Sequence, residues 1–269
     1  MNTLADRAAR WSQRTLVTLI YVFLWLPILV VAVVSIDTST FLRFPPQGFS
    51  LDPYRTVFST PEFMTGLVSS LIIAAFTTVI TLAVAICASL AFTRQSFRGS
   101  GAAQAFLTSP LLVPNIVLGL ALLLLFSPLA LNDTYTGLVL AHVVLCLPYA
   151  IRTISVSLST VDVSGEDAAR VLGASPWVTF RRVTLPLIRP GVIAGAVLSF
   201  LVSFDEAVVS LFLAGYNITP LPVTLLDHLE TQAGPEVAAL SVLLILFSLL
   251  AVLAVERALG LGRSLRTRS

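Results

Sequence analysis

The chain of 269 residues is 57% hydrophobic and only 11% charged, with a mean hydropathy of +0.94; a soluble domain carries about 25% charged residues, so a water-soluble globule is excluded. All 16 basic residues are Arg, and the absence of Lys removes both the phosphate-cradling lysine of a nucleotide-binding loop and any Schiff-base lysine. A net charge of +2 gives no ground for a nucleic-acid partner.

A membrane span needs roughly 20 mostly apolar residues to cross about 30 Å of hydrocarbon. Six stretches reach that length: 16–36, 64–92, 103–126, 136–158, 192–214 and 237–259. The first is too long for the apolar core of a cleavable signal and lacks a small-residue cleavage pattern after it, so it reads as a retained span. The second is long enough to tilt. In the third, Pro110 and Pro114 predict a kink that frees backbone carbonyls beside Asn115, a candidate solute-facing position. In the fourth, His142 and Tyr149 are two turns apart and share a face; Tyr149 is a pathway candidate, and His142 reads as a hydrogen-bonded packing residue. Cys87 and Cys146 lie inside apolar runs and suggest neither a metal site nor a disulfide. No linker divides the spans, which predicts an all-α integral membrane protein with a single domain over 1–269.

Arginine placement orients this bundle. With the N-terminus inside, 14 of the 16 Arg fall on the inner side, including Arg7, Arg10, Arg14, Arg94, Arg98 and the tail residues Arg263, Arg266 and Arg268. The outer loops keep Arg43 and Arg55, beside acids such as Asp37, Asp52, Asp133 and Glu236. This bias predicts cytoplasmic N- and C-termini. It also puts the longest polar connector, 159–191, in the cytoplasm.

That connector predicts two short helices. Glu166 and Asp167 stand in the first turn of one and Arg170 near its end, as the helix dipole prefers. Gly173 closes it, and Ser175-Pro176 starts the second as N-cap and first helical residue. The second helix is expected to stop near Pro186. Trp177 and Phe180 beside Arg181 and Arg182 make the resulting knob an expected docking surface.

Asp167-Ala168-Ala169, then Gly173, then Val183-Thr184-Leu185-Pro186 resembles the EAA loop of bacterial ABC-importer permeases, with Asp for the usual Glu and Val for Ile. The segments SPLLVPNIVLGLAL (109–122), CLPYAI (146–151) and LSFLVSFDEAVVSLFLAG (198–215) are most similar to the spermidine/putrescine permease group. The resemblance implies a type I ABC importer permease fold in the bacterial inner membrane. It further implies a translocation path for a polyamine or related amine. The knob would dock in a cleft of a separate ATPase subunit, one of two in the complex, through Glu166, Asp167, Ala168, Ala169, Gly173, Leu185 and Pro186. A second, non-identical permease and a periplasmic solute-binding protein would complete the complex. The chain itself would hold no cofactor, with ATP and Mg bound by the partner ATPase. One position departs: many relatives carry an acid after the third-span proline, where this chain has Asn115. Another small nitrogen-containing solute, such as an opine, an amino acid derivative or an aminophosphonate, stays open as the alternative.

The fifth stretch carries the sharpest signal. Asp205 and Glu206 are adjacent acids in an apolar run, and each would cost about 2.5–3.5 kcal/mol facing lipid. Ser199, Ser203, Glu206 and Ser210 are spaced as one helical stripe, expected to line the path; Asp205, about 100° away, is a further pathway candidate supporting Glu206 from the adjacent face. Gly191 and Gly195 form a small-xxx-small pair that suggests close packing. An intramembrane protease would need two acids on facing helices to share a proton; these two diverge on one helix. The expectation is a transporter subunit, with no catalytic or metal-ligating residues.

Overall fold

The computed structural model describes residues 4–95 and 97–259. The side chains of Arg7 and Arg10 and the tail residues Arg263, Arg266 and Arg268, invoked for orientation, lie outside the described residues. Among those described there is no strand. In chain order the helices are α1 (Leu4–Val34), α2 (Asp52–Ser59), α3 (Pro61–Arg94), α4 (Ser100–Thr108), α5 (Asn115–Phe126), α6 (Tyr135–Ser159), α7 (Ser164–Val171), α8 (Pro176–Thr179), α9 (Leu185–Phe204), α10 (Val208–Leu213), α11 (Leu221–Thr231) and α12 (Pro235–Leu259).

Among the described residues, five continuous helical stretches are long and apolar enough to cross a membrane: Trp11–Val34, Pro61–Arg94, Tyr135–Ser159, Pro176–Phe204 and Pro235–Arg257. The sixth expected span is a bent pair, Ser100–Leu112 with Asn115–Leu129, turned by 110°. The expected kink over 103–126 is thus a break. Val113 is extended (ψ 129°) because Pro114 disfavours a helical residue before it, and Pro114 itself is extended (ψ 135°).

The fifth span departs from the expected 192–214. A π-helical turn, Phe180–Thr184, carries α8 into α9, so the helix does not stop at Pro186. The widened turn relieves the clash a proline ring makes with the carbonyl four residues back. Consequently the connector expected over 159–191 shortens to about 160–175, and the span ends at Phe204 rather than 214. The stretch between the expected fifth and sixth spans is also partly helical, as α11.

Contacts divide the chain into two compact units, Met1–Pro61 with Leu225–Phe247 and Glu62–Thr224 with Ser248–Ser269. In the first, the buried Asp37 organises the segment after α1. Its carboxylate accepts from the Ser39 hydroxyl and amide and from the Gln47 amide (2.8 Å), and Arg43 lies 4.0 Å away. The Ser39 hydroxyl bond, working against burial and helped by the Gln47, Ser39 and Gly48 amides, lowers its pKa to about 2.

In the second unit α6 is the central helix. One apolar cluster joins Leu138 and Leu145 of α6 to Ile73 of α3, Leu122 of α5, and Val209 and Leu213 of α10. Another joins Ile151, Ile154 and Leu158 to Ala85 of α3 and Ile188 of α9. The α6–α9 approach is close because Gly191 and Gly195 present no side chain. A Cβ on Gly191 would lie 2.4 Å from Ser157 Cβ and 2.9 Å from the Thr153 carbonyl oxygen. On Gly195 it would lie 3.0 Å from Thr153 Oγ1. The small-xxx-small pair is therefore a packing seam. Between α3 and α6, Thr77 donates to the Val139 carbonyl (3.4 Å) and Ser89 to that of Ile151 (3.2 Å). Such interhelical bonds contribute about 0.6 kcal/mol each in a bilayer.

At one end of this unit Asp133 joins two loops. Its carboxylate accepts from the Asn217 amide (3.1 Å), the Asn217 side chain (2.6 Å) and the Ile218 amide (3.0 Å). Burial pushes its pKa upward, but those bonds outweigh it and hold the carboxyl below the usual range.

Candidate functional site

The two breaks meet. α10 packs along α5, where Gly119 makes room: a Cβ there would lie 2.6 Å from the Phe212 ring. At the break between α9 and α10, Glu206 turns its carboxylate onto the start of α10. Oε1 accepts the Val209 amide at 2.9 Å, satisfying one of the donors a helix start leaves open. Oε2 accepts from Asn115 Nδ2 at 3.2 Å. Asn115 is the first residue of α5, directly after the other break. One buried carboxylate thus joins the first turns of two short helices in the middle of the bundle.

A small cavity of about 70 Å³ opens beside this junction, lined by Pro110, Leu111, Asn115, Leu145, Tyr149, Val202 and Glu206. Three of the expected pathway residues, Asn115, Tyr149 and Glu206, are therefore brought together. The others are not. Ser199, Ser203 and Ser210 keep the expected stripe, yet they are buried against α6 rather than lining the cavity. Ser203 and Ser210 bond the His142 ring, and the Ser199 carbonyl accepts from Cys146 Sγ at 3.3 Å. Ser203 and Ser210 face inward onto the His142 ring of α6, whereas the buried Ser199 hydroxyl finds no partner there; helical spacing alone cannot reveal which helix the stripe meets. Asp205 stands at the helix break and is exposed. Among the described residues no three His, Cys, Asp or Glu side chains cluster in a way that could hold a metal.

The knob forms as expected up to α8. At the end of α7 the Gly173 amide bonds the Arg170 carbonyl (2.9 Å) and the Ala174 amide that of Ala169 (3.0 Å). This is the paired closure that requires a left-handed residue, and Gly173 supplies it with φ +87°. Ser175 caps α8 by accepting the Val178 amide at 3.4 Å. Asp167 and Ala168 are exposed, with Arg170 3.6 Å from Asp167. Val171, Leu172 and Trp177 are exposed as well.

Glu166 differs from the docking role expected of it. It is 4% exposed, and its Oε1 accepts from Arg94 Nη2 and from Thr184 Oγ1, each at 3.1 Å. Arg94 also donates to the Val161 carbonyl at 3.2 Å. Glu166 fastens the knob to the end of α3 and to the π-helical turn. Leu185 packs partly buried against the Ile151–Ile188 cluster, while Pro186 is exposed. Arg94 was not foreseen in this role, since nothing in a single sequence pairs it with Glu166.

Broken apolar spans, a buried carboxylate where they meet, and an exposed knob at one end define a multi-pass membrane transport subunit. The chain belongs to the family of binding-protein-dependent transport system inner membrane components, whose model matches residues 83–261. It is 33% identical to the spermidine/putrescine transport system permease protein PotC of Escherichia coli K12, over 88% of this chain and 89% of that one. It is 32% identical to the putrescine transport system permease protein PotI of the same organism, over 91% and 89%. Among solved structures it resembles a bacterial ABC transporter involved in import of the acidic polysaccharide alginate, with a TM-score of 0.77, 18% identity, and coverage of 96% and 98%. The chain is thus an inner-membrane permease subunit with the ABC importer permease fold, and it is not itself an enzyme.

Proposed function

We propose that this permease carries a small cationic amine of the polyamine class, putrescine or spermidine, inward through the junction of α5 and α10. The observation that carries the reading is the Glu206 carboxylate, held by Asn115 and Val209 beside the cavity that Tyr149 also lines. A carboxylate with an aromatic neighbour suits an ammonium group, through charge-assisted bonding and contact with the ring face. The names of PotC and PotI support the same solute class. An ordinary ligand site encloses roughly 300–1,000 Å³. The small cavity therefore fits a resting passage that widens when α5 and α10 move or when a second permease completes its wall.

In this reading 1–269 is one membrane domain with both termini and the knob in the cytoplasm. One of two ATPase subunits, which hold the ATP and Mg, docks on the surface formed by Asp167, Ala168, Gly173, Leu172 and Trp177. A periplasmic binding protein delivers solute at the Asp133 end. Asn115, in place of an acid, leaves less negative charge at the passage and favours as a second reading another small nitrogen-containing solute. The test is uptake by vesicles holding the full importer with its binding protein. ATP-dependent accumulation of radiolabelled putrescine or spermidine supports the first reading. Accumulation of an amino acid derivative without the diamine supports the second.

A further inference from the structure

His142 lies outside the cavity lining, yet it touches both sides of the break that bears Glu206. Its Nδ1 is 2.8 Å from Ser203 Oγ, in the last turn of α9. Its Nε2 is 3.0 Å from Ser210 Oγ, in α10. All three side chains are buried, His142 being 1% exposed. One ring on α6 therefore spans the seven positions from Ser203 to Ser210, and Glu206 sits between them. The backbone between Phe204 and Val208 is not helical, and the short α10 cannot by its own hydrogen bonds fix its direction relative to α9.

We propose that His142 is a positioning residue for the passage: by strapping α9 to α10 it fixes the angle of the break and so holds the Glu206 carboxylate against Asn115 and the cavity. The strap suits a neutral imidazole, which donates from one nitrogen and accepts at the other. Each serine hydroxyl takes the complementary role, so in either tautomer both ring nitrogens are paired. A closed set of this kind is rigid, and its members are costly to leave unpaired in a bilayer. The same two serines belong to the stripe that helical spacing picks out, giving that part of it a mechanical role.

This inference rests on the reading of the junction as the solute passage, and one experiment separates the two. His142→Leu alone leaves two buried hydroxyls unpaired and lowers stability whatever the role of the ring. The informative variant is His142→Leu with Ser203→Ala and Ser210→Ala, in which no polar group is stranded. Thermal stability in detergent, hydrogen exchange of the α10 amides, and putrescine uptake by reconstituted vesicles are measured for the wild type, the triple variant and His142→Gln. The strap predicts that the triple variant melts near the wild type, that its α10 amides exchange faster, and that its uptake falls about tenfold, the scale of one misplaced charge-assisted contact. His142→Gln, which can still donate and accept, should recover part of both. Wild-type uptake and exchange in a stable triple variant would overturn the proposal, leaving His142 as packing. Failure of the wild type itself to take up any amine would instead overturn the reading of the passage.

Discussion

Arg94 Nη2 lies 3.1 Å from Glu166 Oε1, in a pair whose side chains are 16% and 5% exposed, 72 positions apart in the chain. This contact ties the knob to the end of α3, and it makes Glu166 an internal fastening rather than part of the docking surface. Removing one partner of a buried pair strands the other, at a cost of about 3 kcal/mol. Glu166→Ala should therefore lower the melting temperature and weaken co-purification of the ATPase. Asp167→Ala, at an exposed site, should leave stability unchanged. Adding Arg94→Ala to Glu166→Ala should cost less than the sum of the two single changes. Additive losses would show that the pair is not coupled.

Gly173 is expected to be limited by backbone conformation rather than by space. Its φ is +87° and a Cβ would meet nothing within 4 Å. A non-glycine residue pays about 1–2 kcal/mol for left-handed geometry, least for Asn. Stimulated ATP hydrolysis by the reconstituted importer should fall in the order Gly173, Asn, Ala, Val. Equal activity for Gly173→Asn and Gly173→Val would count against the turn as the controlling feature.

The α6–α9 seam gives a steric prediction with an internal control. Gly191→Val forces a side chain into Ser157 and the Thr153 carbonyl, and overpacking of this kind costs about 1–3 kcal/mol or more. Gly165→Ala on α7, where the nearest atom to a new Cβ is Val183 Cγ1 at 3.7 Å, should be neutral or slightly stabilising. Thermal melts of the two purified variants compare them directly.

Asp37 sets an acid limit on the segment after α1. Its folded pKa, about 2, lies below the ordinary 3.8, so its contribution is complete above about pH 4 and is lost as pH falls toward 2. Between pH 7 and 5 it adds no slope. Asp37→Asn should lower stability at neutral pH and flatten the dependence between pH 4 and 2, as read from melting temperature across that range. An unchanged slope would show that other carboxylates govern acid unfolding.

Much of the architecture was legible because hydropathy and length determine where a bilayer can be crossed. The knob was legible because Gly173, Ser175 and Pro176 carry local conformational rules that tertiary context does not override. The fifth span was misplaced because Pro186 signals an ending, whereas the π-helical turn at Phe180–Thr184 absorbs it and carries the helix on. The serine stripe was found by periodicity, but which helix Ser203 and Ser210 faced depended on His142, 61 and 68 positions away. Glu206 was singled out by the cost of a charge in an apolar run. Its tie to Asn115 spans 91 positions and follows from two breaks meeting, which no local pattern encodes.

The measurement that bears most directly on the passage is putrescine uptake by vesicles containing the assembled importer with Glu206→Gln. The substitution keeps an acceptor for the Val209 amide, so α10 should remain capped while the charge is removed. A desolvated charge-assisted contact contributes about 1.5–3 kcal/mol, so uptake should fall roughly 10- to 150-fold. Solute affinity at the binding protein and recovery of the complex should stay at wild-type levels. Wild-type uptake by a correctly assembled Glu206→Gln importer would contradict the assignment of the α5–α10 junction as the cation passage.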